Sequence, residues 1–355
     1  MIEKRERCLA GRNRKPRACR SILQAVLSLA VVGGGAALAA PAGQQVEQSV
    51  KKGAQESAVE ARKQHELGAQ NLPQLTAEDQ HKIESSIPQA AQAHPKRKRK
   101  LLVVTLNIWE GRERRGHTSI PFGNLAIQRM GERTGAYEAV FSNDINTFRP
   151  ANLKQFDAIC FNNTGGVLFE DPALRESLLS FVRSGKGFIG FHAAGATFVQ
   201  YPKYDQFPPF GDMLGGYENG GHPWGPKDVI TMKVEDPVSP VNAAFGGQSF
   251  EISDEVFQFQ APYSREKLHI LLSIDTDRTD MNPKRHFLPE RAKDHDFGMS
   301  WIRRYGEGRV FYSSLGHNPE IWSNPPILKH FLAGIQYALG DLKADDRPSA
   351  VAAKR

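Results

Sequence analysis

The chain has 355 residues, 40% hydrophobic and 24% charged, a globular composition that excludes a collagen-like or wholly disordered protein. Its formal charge of +7 invites a nucleic-acid reading, but the distribution of charge argues against one. Residues 1–20 carry eight Lys/Arg against two Glu, KRKRK at 96–100 holds five more, and the remainder is mildly acidic.

The basic segment from Lys4 to Arg20 precedes an apolar stretch from Ile22 to Ala40, and ALAAPA supplies small residues for cleavage. That is the pattern of a secretory leader, so residues 1–42 read as a signal peptide and the protein as periplasmic or secreted. An uncleaved anchor is the weaker alternative. Gly33, Gly34 and Gly35 interrupt the apolar core, and a span needs about 20 strongly apolar residues. No stable membrane span is expected after cleavage. Cys8 and Cys19 leave with the leader, and Cys160, inside DAICF, reads as a small buried hydrophobe. The mature chain can form no internal disulfide.

Residues 43–100 are rich in Gln, Ala, Glu and Lys, with apolar positions too sparse to bury a face. They read as a low-complexity linker, disordered or helical, and KRKRK as a solvated junction or a contact to an anionic surface. Order begins at LLVVTL (101–106), a continuous apolar run suited to a central parallel strand. A helix near Phe122 to Arg133 follows, then strands at 137–141 and 156–163. DPALRESLLSFVRSG (171–185) has a helix start in Asp171 and Pro172 and a stop in Gly185. GFIGF is the next strand, ending at His192. This alternation predicts a doubly wound parallel sheet.

Beyond residue 200 strands follow one another across turns: 228–236, 249–259 and 268–274. The stretch 298–315 reads as a hairpin around Tyr305-Gly306-Glu307-Gly308. PPILKHFLAGIQYALG (325–340) is an amphipathic helix with proline at its start and glycine past its end. One α/β domain over 101–341, with a β-rich second half and a disordered tail at 342–355, accounts for the pattern.

Several polar groups stand where apolar strands end. His117 and Ser119 follow the first strand, and Asn162, Asn163 and Thr164 end the third. His192 ends the fourth, and His317 and Asn318 follow the last. In open α/β sheets the loops after successive parallel strands share one edge, where ligands bind. His222 lies in the glycine-rich GGYENGGHPWGP, and Asp254-Glu255 interrupt a strand. Histidines with carboxylates suit acid–base catalysis or a divalent metal such as Zn, although the spacings match no short metal motif. Asn163, Thr164, Ser119 and His117 suit a polyhydroxylated ligand, with Tyr217 and Trp224 as candidates for its aromatic face. The nucleophile slot after the fourth strand reads as alanine. No P-loop or GxGxxG fingerprint is present.

FNNTGG, GKGFIGFHAA, GGYENGGHP, VEDPVSP, ISDEVFQF, SREKLHILLSID and GRVFYSSLGH, together with RGHTSIPFG, occur in this order between about Leu101 and Asp341. This series resembles the ThuA-like (trehalose utilisation) family. The resemblance implies a flavodoxin-like α/β fold similar to class I glutamine amidotransferases. It also implies no amidotransferase activity, because the elbow reads FHAAG where those relatives place a cysteine. It points to bacterial sugar catabolism, including trehalose and 3-keto-glycosides, and places His117, His192, His222, Glu255 and His317 at positions typical of the family. The loop YPKYDQFPPFGDMLGG is longer and more proline-rich than the resemblance leads one to expect.

The resulting expectation is an exported protein that hydrolyses or otherwise cleaves a glycoside or keto-sugar. His192, His317 and Glu255 are its catalytic candidates, and His192, His222 and His317 the candidates for a metal. The alternatives are a non-catalytic sugar-binding module, and an interaction protein using the basic linker. A specific nucleic-acid partner is not expected.

Overall fold

The computed structural model describes residues 72–352 apart from 203, 204 and 220. All of these lie within one compact unit. The expected signal peptide at 1–42 and residues 43–71 of the expected linker lie outside the described residues.

A nine-stranded sheet organises the domain. Its strands in chain order are β1 Lys100–Val104, β2 Glu138–Phe141, β3 Ala158–Asn162, β4 Gly187–Phe191, β5 Val229–Val234, β6 Phe250–Ser253, β7 His269–Ile274, β8 Gly298–Tyr305 and β9 Gly308–Ser313. In space they lie in the order β6-β5-β7-β8-β9-β4-β3-β1-β2. Strands β2, β1, β3, β4 and β9 are mutually parallel, while β8, β7, β5 and β6 continue the sheet antiparallel. The parallel half thus begins 2-1-3-4, the flavodoxin-like order, with a switch point between β1 and β3. The doubly wound reading and the β-rich second half both describe the observed sheet.

Period-two geometry explains why β1 carries an unbroken apolar run. Leu101 and Val103 enter the core on one face of the sheet, and Leu102 and Val104 enter the core on the other. The principal helices are α1 Ala77–Ser86, α2 Ile120–Thr134, α3 Pro172–Arg183 and α4 Pro325–Ala338. The Asp171 side chain caps α3 by accepting from the Ala173 backbone N–H at 2.8 Å. Cys160 is fully buried in β3, and burial pushes its thiol up.

Register decides where the site forms. Asn162 at the end of β3 pairs with Phe191 at the end of β4, which pairs with Ser313 at the end of β9. The next residues, Asn163, His192 and Ser314, therefore leave the sheet side by side.

The segment before β1 is part of the domain. In α1, Thr76 and Asp79 form a reciprocal capping box, and Ile83 and Ile87 are buried in the core. The Gln336 side-chain oxygen of α4 accepts from the backbone N–H groups of Gln92 and Ala93. KRKRK is only in part the solvated junction its composition suggests: Lys96, Arg97 and Lys98 are exposed, but two of its arginines are paired. Arg97 pairs with Asp157, and Arg99 reaches Asp341 with Nε 2.9 Å from Oδ2. Asp157 and Asp341 are buried, and a buried carboxylate persists only when it is paired. The segment after α4 also lies along the body. The Ser349 backbone N–H donates to the Leu268 carbonyl, and the Ser349 hydroxyl accepts from the Ile270 N–H at 2.8 Å. Among the described residues, no helix is long and apolar enough to cross a membrane.

Candidate functional site

The elbow after β4 is strained. His192 has φ 43°, and its neighbour Asn163, after β3, has φ 55°. Left-handed backbone is uncommon outside glycine and persists only where the surroundings enforce it. The enforcement on His192 is visible: the Tyr312 hydroxyl donates to its carbonyl at 2.7 Å, and its own Nδ1 lies 2.9 Å from the Ser314 carbonyl. The residue in the geometry of a nucleophile elbow is thus His192 itself, not the alanine that follows it. Gly190, two residues before the elbow, lacks a side chain for a packing reason. A Cβ built on Gly190 would stand 3.1 Å from the Ala194 Cβ, so the two segments are already in close contact.

A carbonyl only accepts, so Nδ1 of His192 carries the proton and Nε2 keeps a lone pair. That Nε2 is buried, has no hydrogen-bond partner, and stands 3.9 Å from Glu255 Oε1. Burial, reinforced by the positive charge that His117 and His317 would carry, holds the imidazole well below its ordinary pKa. His192 is therefore a neutral donor of electrons.

His317 is oriented by the same logic. The Asn318 Nδ2 donates to the carbonyls of Pro226 and Ser253, which leaves Asn318 Oδ1 to accept from His317 Nδ1 at 3.0 Å. Its Nε2 then faces Glu255 Oε1 at 3.7 Å. Asp254 fixes the turn that carries it, accepting from the backbone N–H groups of Gly316 at 2.7 Å, His317 at 3.3 Å and Asn318 at 2.7 Å. Burial pushes the Asp254 carboxyl up to about 7, against the pull of these donors.

His117 completes the group. Its ring centroid lies 4.8 Å from that of His192 and 5.2 Å from that of His317, edge-on to both. His192 and His317 are 5.2 Å apart and again nearly perpendicular. Donor atoms of His117, His192, Glu255 and His317 all lie within 4.8 Å of one another. His222 stands beside this set rather than in it, with Nδ1 3.4 Å from Glu255 Oε1. Of the trio expected from sequence, His192 and His317 lie in this group together with His117 and Glu255, and His222 lies beside it.

The other expected ligand residues are drawn inward. Ser119 is buried and donates to the Gly316 carbonyl at 2.8 Å, and the Thr164 hydroxyl bonds that of Thr197 at 2.6 Å. Tyr217 is buried and donates to the Phe207 carbonyl. Trp224 packs against Phe287 and Phe297, its Nε1 donating to the Asp280 carbonyl. Each of these side chains makes an internal hydrogen bond, and the Tyr217 and Trp224 rings are both buried. Asn163 differs: its Oδ1 is buried without a partner, beside the elbow. Sequence reasoning gave no role to Phe257, which stacks under His192 at 4.5 Å, or to Glu218, which faces His222. The four-residue spacing to His222 was the only trace of Glu218 in the sequence, and Phe257 left none.

The profile of the ThuA family, described as trehalose utilisation, matches residues 105–338. Among solved structures, the fold is similar to a ThuA-like protein from Bacteroides uniformis, with 20% identity and a TM-score of 0.52 over 74% of this chain and 98% of that one. A ThuA-like protein from Parabacteroides merdae shows 14% identity and a TM-score of 0.49 over 70% of this chain and 93% of that one. A search among curated proteins finds no match. With the family profile covering most of the domain that builds the histidine cluster, this chain belongs to the ThuA (trehalose utilisation) family.

Proposed function

We propose that this chain is an exported enzyme of sugar catabolism whose centre is a divalent metal held by His117, His192, His317 and Glu255. One observation carries the reading: four donor atoms from four separate segments lie within 4.8 Å of one another. Ligands about 2.1 Å from a tetrahedral zinc stand about 3.4 Å apart. The separations of 3.7 and 3.9 Å from Glu255 to His317 and His192 need only a slight contraction. Chemistry agrees with geometry. Two of the histidines spend Nδ1 on an acceptor and leave Nε2 facing a carboxylate, and such facing acceptors repel unless a cation lies between them. Imidazole donors with one carboxylate suit zinc and similar divalent ions.

When bound, such an ion would supply Lewis acidity to a carbonyl or hydroxyl oxygen of the substrate, provided that oxygen joins the four side-chain donors as a further ligand. The residues around it do the rest. Asp254 and Asn318 hold His317, while Ser314 and Tyr312 hold His192. The buried, unpartnered Oδ1 of Asn163 is an acceptor for a substrate hydroxyl. The family's trehalose-utilisation description supports a sugar substrate, and the basic and apolar start of the chain supports export. His192, Glu255 and His317 then act by holding the ion, not by exchanging protons.

The test is turnover of glycosides and 3-keto-glycosides by the wild type, the chelated protein, and His192→Ala and His317→Ala variants. Turnover that disappears on chelation, returns with added zinc and is absent in both variants is expected. Full turnover after chelation would overturn the reading. Tight sugar binding by the metal-loaded protein without any turnover would identify a binding module instead.

A further inference from the structure

Glu218 is fully buried, and nothing in the proposed reading uses it. Carboxylates are almost never buried unless they are paired. Its Oε2 accepts from the Tyr201 hydroxyl at 2.9 Å, and its Oε1 faces His222 Nε2 at 3.6 Å. The other nitrogen of that ring, Nδ1, stands 3.4 Å from Glu255 Oε1. His222 is therefore wedged between two carboxylates, one of which belongs to the candidate ligand set.

Backbone pairings flank the wedge. Glu218 pairs with Phe259 in a short antiparallel ladder, and Trp224 pairs with Val256 in an isolated bridge. The segments carrying His222 and Glu255 are thus zipped together on both sides of the imidazole. Phe257 supports the arrangement from below, its ring 4.9 Å from that of His222 and 4.5 Å from that of His192.

We propose that Glu218 is a positioning residue which, acting through His222, holds the Glu255 carboxylate against His117, His192 and His317. The inference rests on the metal reading above. Without Glu218, the His222 ring loses the anion beside Nε2 and is free to turn, and Glu255 loses the neighbour that stands against its Oε1. Partners of this kind, one step removed from a metal, typically change its affinity by about 10–100-fold when removed. A residue that served only to fill the fold would leave that affinity alone.

The experiment titrates the full-length, chelator-treated protein with Zn2+ and with Co2+, following heat and the Co2+ absorption spectrum. Glu218→Ala is expected to bind about 10–100-fold more weakly than wild type and to change the Co2+ spectrum. Glu218→Gln keeps the side chain's shape and one acceptor oxygen for Tyr201 but places an NH2 beside the ring, and is expected to recover part of the loss. Thermal unfolding of the metal-free proteins separates positioning from stability. If Glu218→Ala binds as tightly as wild type, whatever its melting temperature, the proposal is overturned while the metal reading stands. If that variant does not fold, Tyr201→Phe removes the hydroxyl that bonds Glu218 and keeps the ring that stacks on Trp109. Weaker metal binding by Tyr201→Phe supports the proposal, and unchanged binding overturns it. A wild type that binds neither metal overturns both the proposal and the reading beneath it.

Discussion

His192 Nδ1 lies 2.9 Å from the Ser314 carbonyl, and this contact decides which nitrogen of the buried ring faces Glu255. Both residues are set by register, because each directly follows the paired ends of β4 and β9. Replacing His192 with Asn should keep the fold, since Asn tolerates left-handed backbone better than most residues. It should also remove the Nε2 lone pair from the centre. Metal content of the purified variant is the check, and a stoichiometric ion in His192→Asn would contradict the ligand assignment.

Asp254 is expected to matter through His317. Its two oxygens together accept from three backbone N–H groups. In Asp254→Asn one oxygen becomes an NH2 facing those donors. The predicted cost is about 1–3 kcal/mol of stability, read by urea unfolding, together with weaker metal binding. Unchanged binding would show that the 316–318 turn holds its shape without the carboxylate.

Asp341 and Arg99 form a buried, two-point ion pair that ties the segment before β1 to the end of α4. Asp341→Ala leaves the guanidinium only the more distant Asp157, 3.9 Å away, and should cost at most about 3–5 kcal/mol. The Arg99→Ala, Asp341→Ala double variant should be less destabilised than the sum of the two single losses. Additive losses in denaturant titrations would refute that coupling.

His330 gives the pH prediction. The ring is fully buried, with Nδ1 3.0 Å from the Val241 carbonyl and Nε2 2.9 Å from the Ser300 hydroxyl. Burial pushes its pKa down from the ordinary 6.5 to about 4. A depressed histidine pKa means that the unfolded chain takes up the proton first. The contribution is therefore complete above pH 6.5 and is lost as the pH falls toward 4 and below. The stability advantage of wild type over His330→Gln should shrink by about 3 kcal/mol between pH 7 and pH 4. An advantage that stays constant across that range would contradict the depressed value.

The parallel half of the sheet was legible because strands buried on both faces read as unbroken apolar runs, as in Leu101 to Val104. His117, Asn163 and His192 could be placed on one edge for the same reason, whereas the strand before His317 read only as one arm of a hairpin, and its parallel pairing with β4 is what brings His317 there. What the sequence concealed were relations across the sheet. Trp224 and Tyr217 look like ligand-facing aromatics until their burial and hydrogen bonds are seen. The pairing of Arg97 and Arg99 inside KRKRK was hidden because their partners, Asp157 and Asp341, are distant in sequence. His222 seemed equivalent to the other histidines, and only the position of Glu255 between them separates its role. The strained φ of His192, which moves the elbow off the alanine, has no signature in residue type.

The central claim is that one divalent ion sits among His117, His192, Glu255 and His317. Anomalous X-ray scattering from crystals grown with zinc, recorded on both sides of the zinc absorption edge, tests it most directly. The account predicts one strong peak within bonding distance of these four side chains, lost in a His117→Ala, His317→Ala variant. A metal-loaded crystal with no peak there, or with its peak elsewhere, would contradict it.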